Sequence, residues 1–274
     1  MKRLSSLIAS LFLLSVVSVS ALAQAQPYVP SDPRFELSAG LFLTESDTKV
    51  RLDSVELGEG TTLDFEKDLG FNQTETIWHA DALWRIGKRQ RHQLELGYFS
   101  LSREGRKVLD EDIQFGDEVF SLHADIRTTF DARMLKLGYT YMFYQHERFS
   151  AGVSVGGFVS KLGVSIAEAS IGQSETEEKT LPLPTGGLRA EYRLMKNLRL
   201  RGAGDVFFIS TDHYSGTLFN LRSALEYDVG DRIALGLSYN YLHIDGTLVS
   251  SSGNGNLTAI WGMHGLVAFA KYRF

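Results

Sequence analysis

Apolar side chains recur at every second position through most of this chain, in runs separated by polar segments. From Ile260 the even positions Ile260, Gly262, His264, Leu266, Ala268, Ala270, Tyr272 and Phe274 form one face, and the odd positions end in Lys271 and Arg273. A two-residue period describes a strand with one apolar and one partly polar face. The same period predicts a first strand in which Phe35, Leu37, Ala39, Leu41 and Leu43 oppose Glu36, Ser38, Gly40, Phe42 and Thr44. In a second, Thr76, Trp78, Ala80, Ala82, Trp84 and Ile86 oppose Glu75, Ile77, His79, Asp81, Leu83 and Arg85.

Further strands follow with Leu94, Leu96 and Tyr98, with Leu135 to Phe143, and with Phe149 to Val159. The remaining ones end at Leu194 or are centred on Leu198 to Phe208, Phe219 to Tyr227 and Ile233 to Tyr241. The apolar parity changes near Met134, which predicts a β-bulge there. Ten strands result, joined alternately by short turns (Gly87 to His92, Gln145 to Arg148, Met195 to Asn197, Val229 to Asp231) and longer loops. Eight or twelve strands stay open, because two large insertions can hide a hairpin. One is Glu45 to Glu75, with nine acidic residues against Lys49, Arg51 and Lys67. The other is Ser102 to Phe130, with a tip at Gly116-Asp117 and flanks that alternate, which predicts a projecting hairpin. Glu168 to Thr180 is expected to be a polar loop, and the acidic first insertion a solvated one.

The amino terminus adds a location. Lys2 and Arg3 precede an uncharged run from Leu4 to Leu22 that ends in Ala21-Leu22-Ala23. A charged start, an apolar stretch and a small-residue site make a secretory signal peptide, so residues 1–23 are expected to be removed, with Ala25 as the second choice of cleavage site. Beyond it no uncharged run approaches the roughly 18–20 residues of a membrane helix. Residues 24–33, rich in proline, read as a periplasmic arm, and residues 34–274 as one barrel domain. The chain has no cysteine, so disulfide stapling is excluded, and its net charge of −5 offers no basic patch for nucleic acid. Plentiful glycine (26) with 17 Phe and 11 Tyr suits a barrel whose rings mark the lipid–water boundaries.

Alternating segments, loop asymmetry and a terminal Phe274 together resemble the small OmpA-like, OmpX-like and omptin-like barrels of bacterial outer membranes, over the whole mature length. Tyr272 and Phe274 resemble the C-terminal signal read by the barrel-assembly machinery. The small residue usual five positions before the end is Phe269 here. The resemblance implies an all-β, transmembrane, antiparallel up-and-down barrel with short periplasmic turns and long extracellular loops. It also implies a Gram-negative outer-membrane location. The partners it implies are membrane lipid, lipopolysaccharide, and assembly factors and periplasmic chaperones during biogenesis.

A charge facing lipid near the bilayer centre costs about 2–4 kcal/mol, so the charged faces must line the lumen. That assigns Asp81, Arg85, Glu95, Lys136, Arg189, Arg199, Arg201, Asp205, Arg222 and Glu226 to an inner charge network. Mixed carboxylates and guanidinium groups pair at such depth, so the network reads as a plug in a largely filled lumen, or as the lining of a narrow pore. Four His–acid pairs invite a hydrolase reading: His79 with Asp81, His123 with Asp125, Asp212 with His213, and His243 with Asp245. None carries the motif of the omptin or lipid-A deacylase enzymes. The acidic first insertion can bind divalent cations that bridge lipopolysaccharide, or stay solvated. No catalytic residue, metal site or cofactor is assigned. The expected role is structural or surface-interactive, the latter through residues 104–130.

Overall fold

The computed structural model describes residues 32–168, 173–210, 214–248 and 256–274. The expected signal segment, most of the expected arm and the pair Asp212 and His213 lie outside them. In chain order the elements are β1 (Phe35–Leu52), β2 (Leu63–Asp64), α1 (Phe65–Asp68), β3 (Thr74–Ile86), β4 (His92–Val108), β5 (Ile113–Phe115) and β6 (Glu118–Phe120). They continue with β7 (Asp125–Gln145), β8 (Phe149–Glu168), β9 (Gln173–Met195), β10 (Leu198–Ser210), β11 (Tyr214–Asp228), β12 (Ile233–Leu248) and β13 (Leu257–Arg273). Each long strand pairs antiparallel with its sequence neighbour. β13 returns to β1 in register from Glu36↔Arg273 to Leu52↔Leu257. With the two-residue β2 set aside as an attachment to β1, ten strands form a closed up-and-down barrel. Closure removes the free edges of an open sheet. Gly265 serves that seam: its φ of +154° suits glycine, and a Cβ there would meet the Leu43 carbonyl.

Side chains alternate in and out as the sequence pattern predicts. Leu41, Leu137, Val155 and Leu188 face outward and stay exposed, as lipid-facing residues do. Aromatic rings flank this band. Phe35, Tyr272 and Phe274 cluster at the short-turn end. Trp78 with Tyr98, and Tyr241 with His264, lie toward the long-loop end.

Four expectations need correction. β7 pairs with β4 without interruption from Asp125 to Tyr141, so Met134 carries no bulge; the only shift along β7 lies between Tyr141 and Tyr144. Its inward face is even-numbered from Ile126 to Met142. Parity changes because the surroundings exchange: above the lipid band the interior turns apolar (Ile126, Phe130, Ala132, Met134) and the exterior charged (Arg127, Asp131, Arg133). For the same reason the described part of Glu168 to Thr180 is strand, with β8 and β9 running in register from Phe149↔Tyr192 to Glu168↔Gln173. Likewise Ser102 to Val108 and Asp125 to Phe130 belong to the barrel wall. The hairpin tipped by Gly116-Asp117 is only β5 and β6, and it folds back over the mouth with Phe115 and Phe120 buried.

The fourth correction concerns the first insertion, whose second half is not solvated. β3 begins at Thr74, short of the ends of β1 and β4, and β2 with α1 occupies the gap in the wall. Gly70, at φ +71°, turns the chain here, and Gly105 on β4 lets the Leu69 carbonyl and the Phe71 ring lie against its backbone. Farther round, the β9–β10 ladder stops at Gly186↔Val206 although β9 extends well above it. Pro182 and Pro184, which lack the N–H an added strand would need, sit along that stretch of β9.

Candidate functional site

The interior is built in three layers, each from strand positions that the alternation turns inward. At the long-loop end α1 drives Phe65 and Leu69 into the lumen, both fully buried. The Phe65 ring packs edge-on against Phe130 (5.7 Å between centroids), and Phe130 in turn meets Trp261 at 5.8 Å. Arg103, reaching up from β4, fastens this plug. Its guanidinium contacts Glu66 Oε1 at 2.7 Å, donates to Thr48 Oγ1 at 3.1 Å and donates to the Asn72 carbonyl. Glu66 also accepts from the Thr48 amide at 2.9 Å. Asp64 caps α1, accepting from the Lys67 amide at 3.1 Å and the Lys67 ammonium at 2.8 Å. Partial burial pushes the Asp64 carboxyl up, but the Lys67 hydrogen bonds outweigh it and hold the group below its usual range. β5 and β6 cover the plug: the Gly116 amide donates to the Leu52 carbonyl at 3.1 Å, and Ser54 donates to Asp117 at 2.7 Å.

At the short-turn end the interior is charged. Glu36 on β1 is buried among Arg85 (3.0 Å), Arg201 (2.9 Å), Lys271 (3.2 Å) and Arg273 (3.5 Å). Glu226 meets Lys271, Arg201 and Arg273, while Arg199 bridges Asp228 (3.0 Å) and Asp32 (2.7 Å). Asp32 precedes β1 and ties the arm to the barrel. Burial raises its carboxyl, but Arg199, Arg85, Arg193 and Arg201 prevail and hold it below the usual range.

Between these ends lies a cavity of about 240 Å³. Along one side Arg189 grips Glu95 with two bonds (2.8 and 3.0 Å) and Asp205 with a third (2.8 Å), and Lys136 joins Asp205 at 2.8 Å. Opposite, Asp81 Oδ2 receives Arg222 Nη1 at 3.0 Å and His79 Nδ1 at 3.2 Å. All ten charged residues singled out in the sequence therefore face the lumen in ion pairs, split between the middle and the short-turn end. Sequence reasoning did not single out Glu36, Asp228 or Asp32, nor use Lys271 and Arg273. For Glu36, Asp228, Lys271 and Arg273 the inward parity on β1, β11 and β13 was the available signal, but a charge near a strand end looks like an ordinary turn residue; Asp32, ahead of β1, offered none.

Of the three His–acid pairs within the described residues, only His79 and Asp81 are brought together in contact, and they lie in mid-lumen rather than at the rim. His123 is exposed in a loop while Asp125 pairs with Arg106. His243 and Asp245 both lie on the outward parity of β12. The fourth pair is outside the described residues. Asp47, Asp64 and Glu66 bring their carboxylates within 4.8 Å of one another, a grouping the residue spacing did not announce. Arg103 and Lys67 already answer two of the three.

No family model matches the chain, and no curated protein matches it. Among solved structures it is similar to the outer membrane protease OmpT from Escherichia coli, at 12% identity with a TM-score of 0.58, over 92% of this chain and 99% of that one. It also matches Ail, the attachment invasion locus protein of Yersinia pestis, at 15% identity and a TM-score of 0.38, over 89% of this chain and 99% of that one. A third match is the outer membrane protein OprG from Pseudomonas aeruginosa, at 12% identity and a TM-score of 0.34, over 89% and 96% of the two chains. The likeness to OmpT shows the fold: this chain has the architecture of a small bacterial outer-membrane β-barrel.

Proposed function

We propose that the protein is an integral barrel of the Gram-negative outer membrane, not an enzyme, whose role is structural or surface-interactive and whose lumen does not pass solutes freely. The observation that carries this reading is the double closure of the lumen. Phe65, Leu69 and the Arg103–Glu66 pair fill the outer end, and the ion pairs centred on Glu36 fill the periplasmic end. The long strands then hold the β5–β6 hairpin and the outer ends of β7, β8 and β9 clear of the membrane, where a surface ligand or lipopolysaccharide can meet them. In this reading the signal segment is removed after Ala23, and chaperones and the assembly machinery deliver the chain, with Tyr272 and Phe274 as its signal.

The test is single-channel recording from the refolded protein in planar bilayers. The expected result is no stable conductance from protein whose heat-modifiable migration on gels shows the barrel intact. Stable steps whose size shifts on charge reversal at Arg201 would establish a pore and overturn the reading.

A further inference from the structure

The central cavity is polar on part of its wall and apolar on the rest. Phe42, Phe99, Phe158, Met134, Leu242 and Met263 supply rings, thioethers and an aliphatic chain beside the paired charges. Two polar atoms on that wall lack a hydrogen bond; Arg201 Nε still has Glu191 Oε2 at 3.1 Å, and the other is unanswered. His79 is more than nine-tenths buried and lines the cavity, and its Nε2 has no hydrogen-bond partner. The other ring nitrogen sits 3.2 Å from Asp81 Oδ2, which fixes the tautomer with the proton on Nδ1. Arg222 already balances the charge of Asp81 from 3.0 Å, so a neutral imidazole leaves this trio without net excess. Nε2 then presents a buried lone pair to the cavity. A buried acceptor in that position calls for a donor from whatever fills the space.

We propose that the cavity is a binding site for a small neutral amphipathic molecule, an aromatic alcohol or phenol, whose hydroxyl donates to His79 Nε2 and whose body rests on the phenyl and thioether wall. The size fits. A cavity of about 150 Å³ is enough to hold benzene, and this one, at about 240 Å³, admits one or two rings. Methionine and phenylalanine walls suit aromatic bodies of varied outline. The site asks for a hydrogen-bond donor rather than an anion, because Asp81 and Glu95 line it and the neighbouring cations Arg222, Arg189 and Lys136 are already engaged with carboxylates.

The probe is 2-naphthol, with naphthalene as the analogue lacking the hydroxyl, titrated into the refolded full barrel carrying ¹⁵N-labelled histidine. The expected result is saturable binding of 2-naphthol with a shift of the His79 Nε2 resonance. Naphthalene should bind about three- to tenfold more weakly, the worth of one hydrogen bond, and leave that resonance nearly unmoved. His79→Phe should bring 2-naphthol down to the affinity of naphthalene, and Ala203→Phe, which fills the cavity from β10, should abolish binding of both. Binding that survives Ala203→Phe would be partition into detergent and would overturn the proposal, as would no saturable binding. An Nε2 resonance unmoved by 2-naphthol would mean that water alone answers the nitrogen, and it would also overturn the proposal. That measurement uses the native chain, so it stands even if a variant fails to fold. Conductance steps in bilayers would sink the closed-barrel reading without touching this one, and absence of naphthol binding would leave the closed barrel intact.

Discussion

Glu36→Gln isolates what the charge cluster at the short-turn end contributes. Six cations (Arg85, Arg193, Arg199, Arg201, Lys271, Arg273) face five carboxylates there (Asp32, Glu36, Glu191, Glu226, Asp228). Breaking a buried pair by removing one partner costs about 3–5 kcal/mol, because an unanswered charge stays behind. Three of the four cations around Glu36 keep another carboxylate: Arg201 has Glu191 and Glu226, Lys271 has Glu226, and Arg273 has Asp228. Arg85 makes no second ion pair among the described residues and retains the Pro33 carbonyl at 2.9 Å and the more distant charge of Asp32. The glutamine oxygen still accepts a bond, so the loss belongs at the lower end, about 3 kcal/mol. Urea unfolding of the barrel in lipid vesicles measures it. The double variant Glu36→Gln with Arg85→Gln should lose less than the two single changes added together, with a coupling of about 1–3 kcal/mol. A Glu36→Gln protein within about 0.5 kcal/mol of the parent would refute the reasoning and reduce the cluster to solvated charges.

The plug should be acid-sensitive. The Asp64 carboxyl is held below its ordinary value of 3.8, so the stability it lends α1 is fully present above that value and is lost as pH falls through the lower, folded one. Hydrogen exchange at the Lys67 amide should quicken between about pH 5 and about pH 2 beyond the intrinsic trend, and Asp64→Ala should cost α1 about 0.5–2 kcal/mol and abolish that dependence. On the outer wall, Leu137→Arg places a charge within the lipid-facing band and should cost about 2–4 kcal/mol in vesicle unfolding, whereas Asp131→Arg, above the band, should change stability by less than about 1 kcal/mol. Equal costs at the two positions would mean that the band is misplaced.

The strand count, the seam between first and last strands and the inward assignment of the charges could all be read from the sequence. Each depends only on alternation, and alternation is strict wherever lipid lies on one side. The plug could not be read from its own segment. Leu63, Phe65, Leu69 and Phe71 are spaced like a weak strand among acidic residues, and nothing local says that they turn into a lumen rather than toward solvent. What turns them is a partner far off in sequence: Arg103 on β4 for Glu66, and Phe130 and Trp261 for Phe65. Pairing of His79 with Asp81 was open to a spacing argument, since two residues along a strand share a face. Its depth was not, because depth follows from the register of neighbouring strands.

The parity change near Met134 ties these features together. A strand that crosses a bilayer and continues beyond it passes through two environments with opposite demands. Within the lipid band Leu135, Leu137 and Tyr139 must face out, and Lys136 can face a polar lumen. Above it water bathes the outside, so Arg127, Asp131 and Arg133 are comfortable there, and the inside can be apolar only if something apolar fills it. Ile126, Phe130, Ala132 and Met134 are buried on that inside, and the outer end of β1 shows the same exchange, with Val50 and Leu52 inward and Lys49 and Arg51 outward. Two strands that invert their pattern toward the same end imply an apolar body between them, since an empty mouth would wet those side chains at about 25 cal/mol for each Å² exposed. The inversion is thus the sequence trace of the plug. A bulge would have moved every later side chain on β7 to the opposite face, and Lys136 would then point at lipid instead of at Asp205.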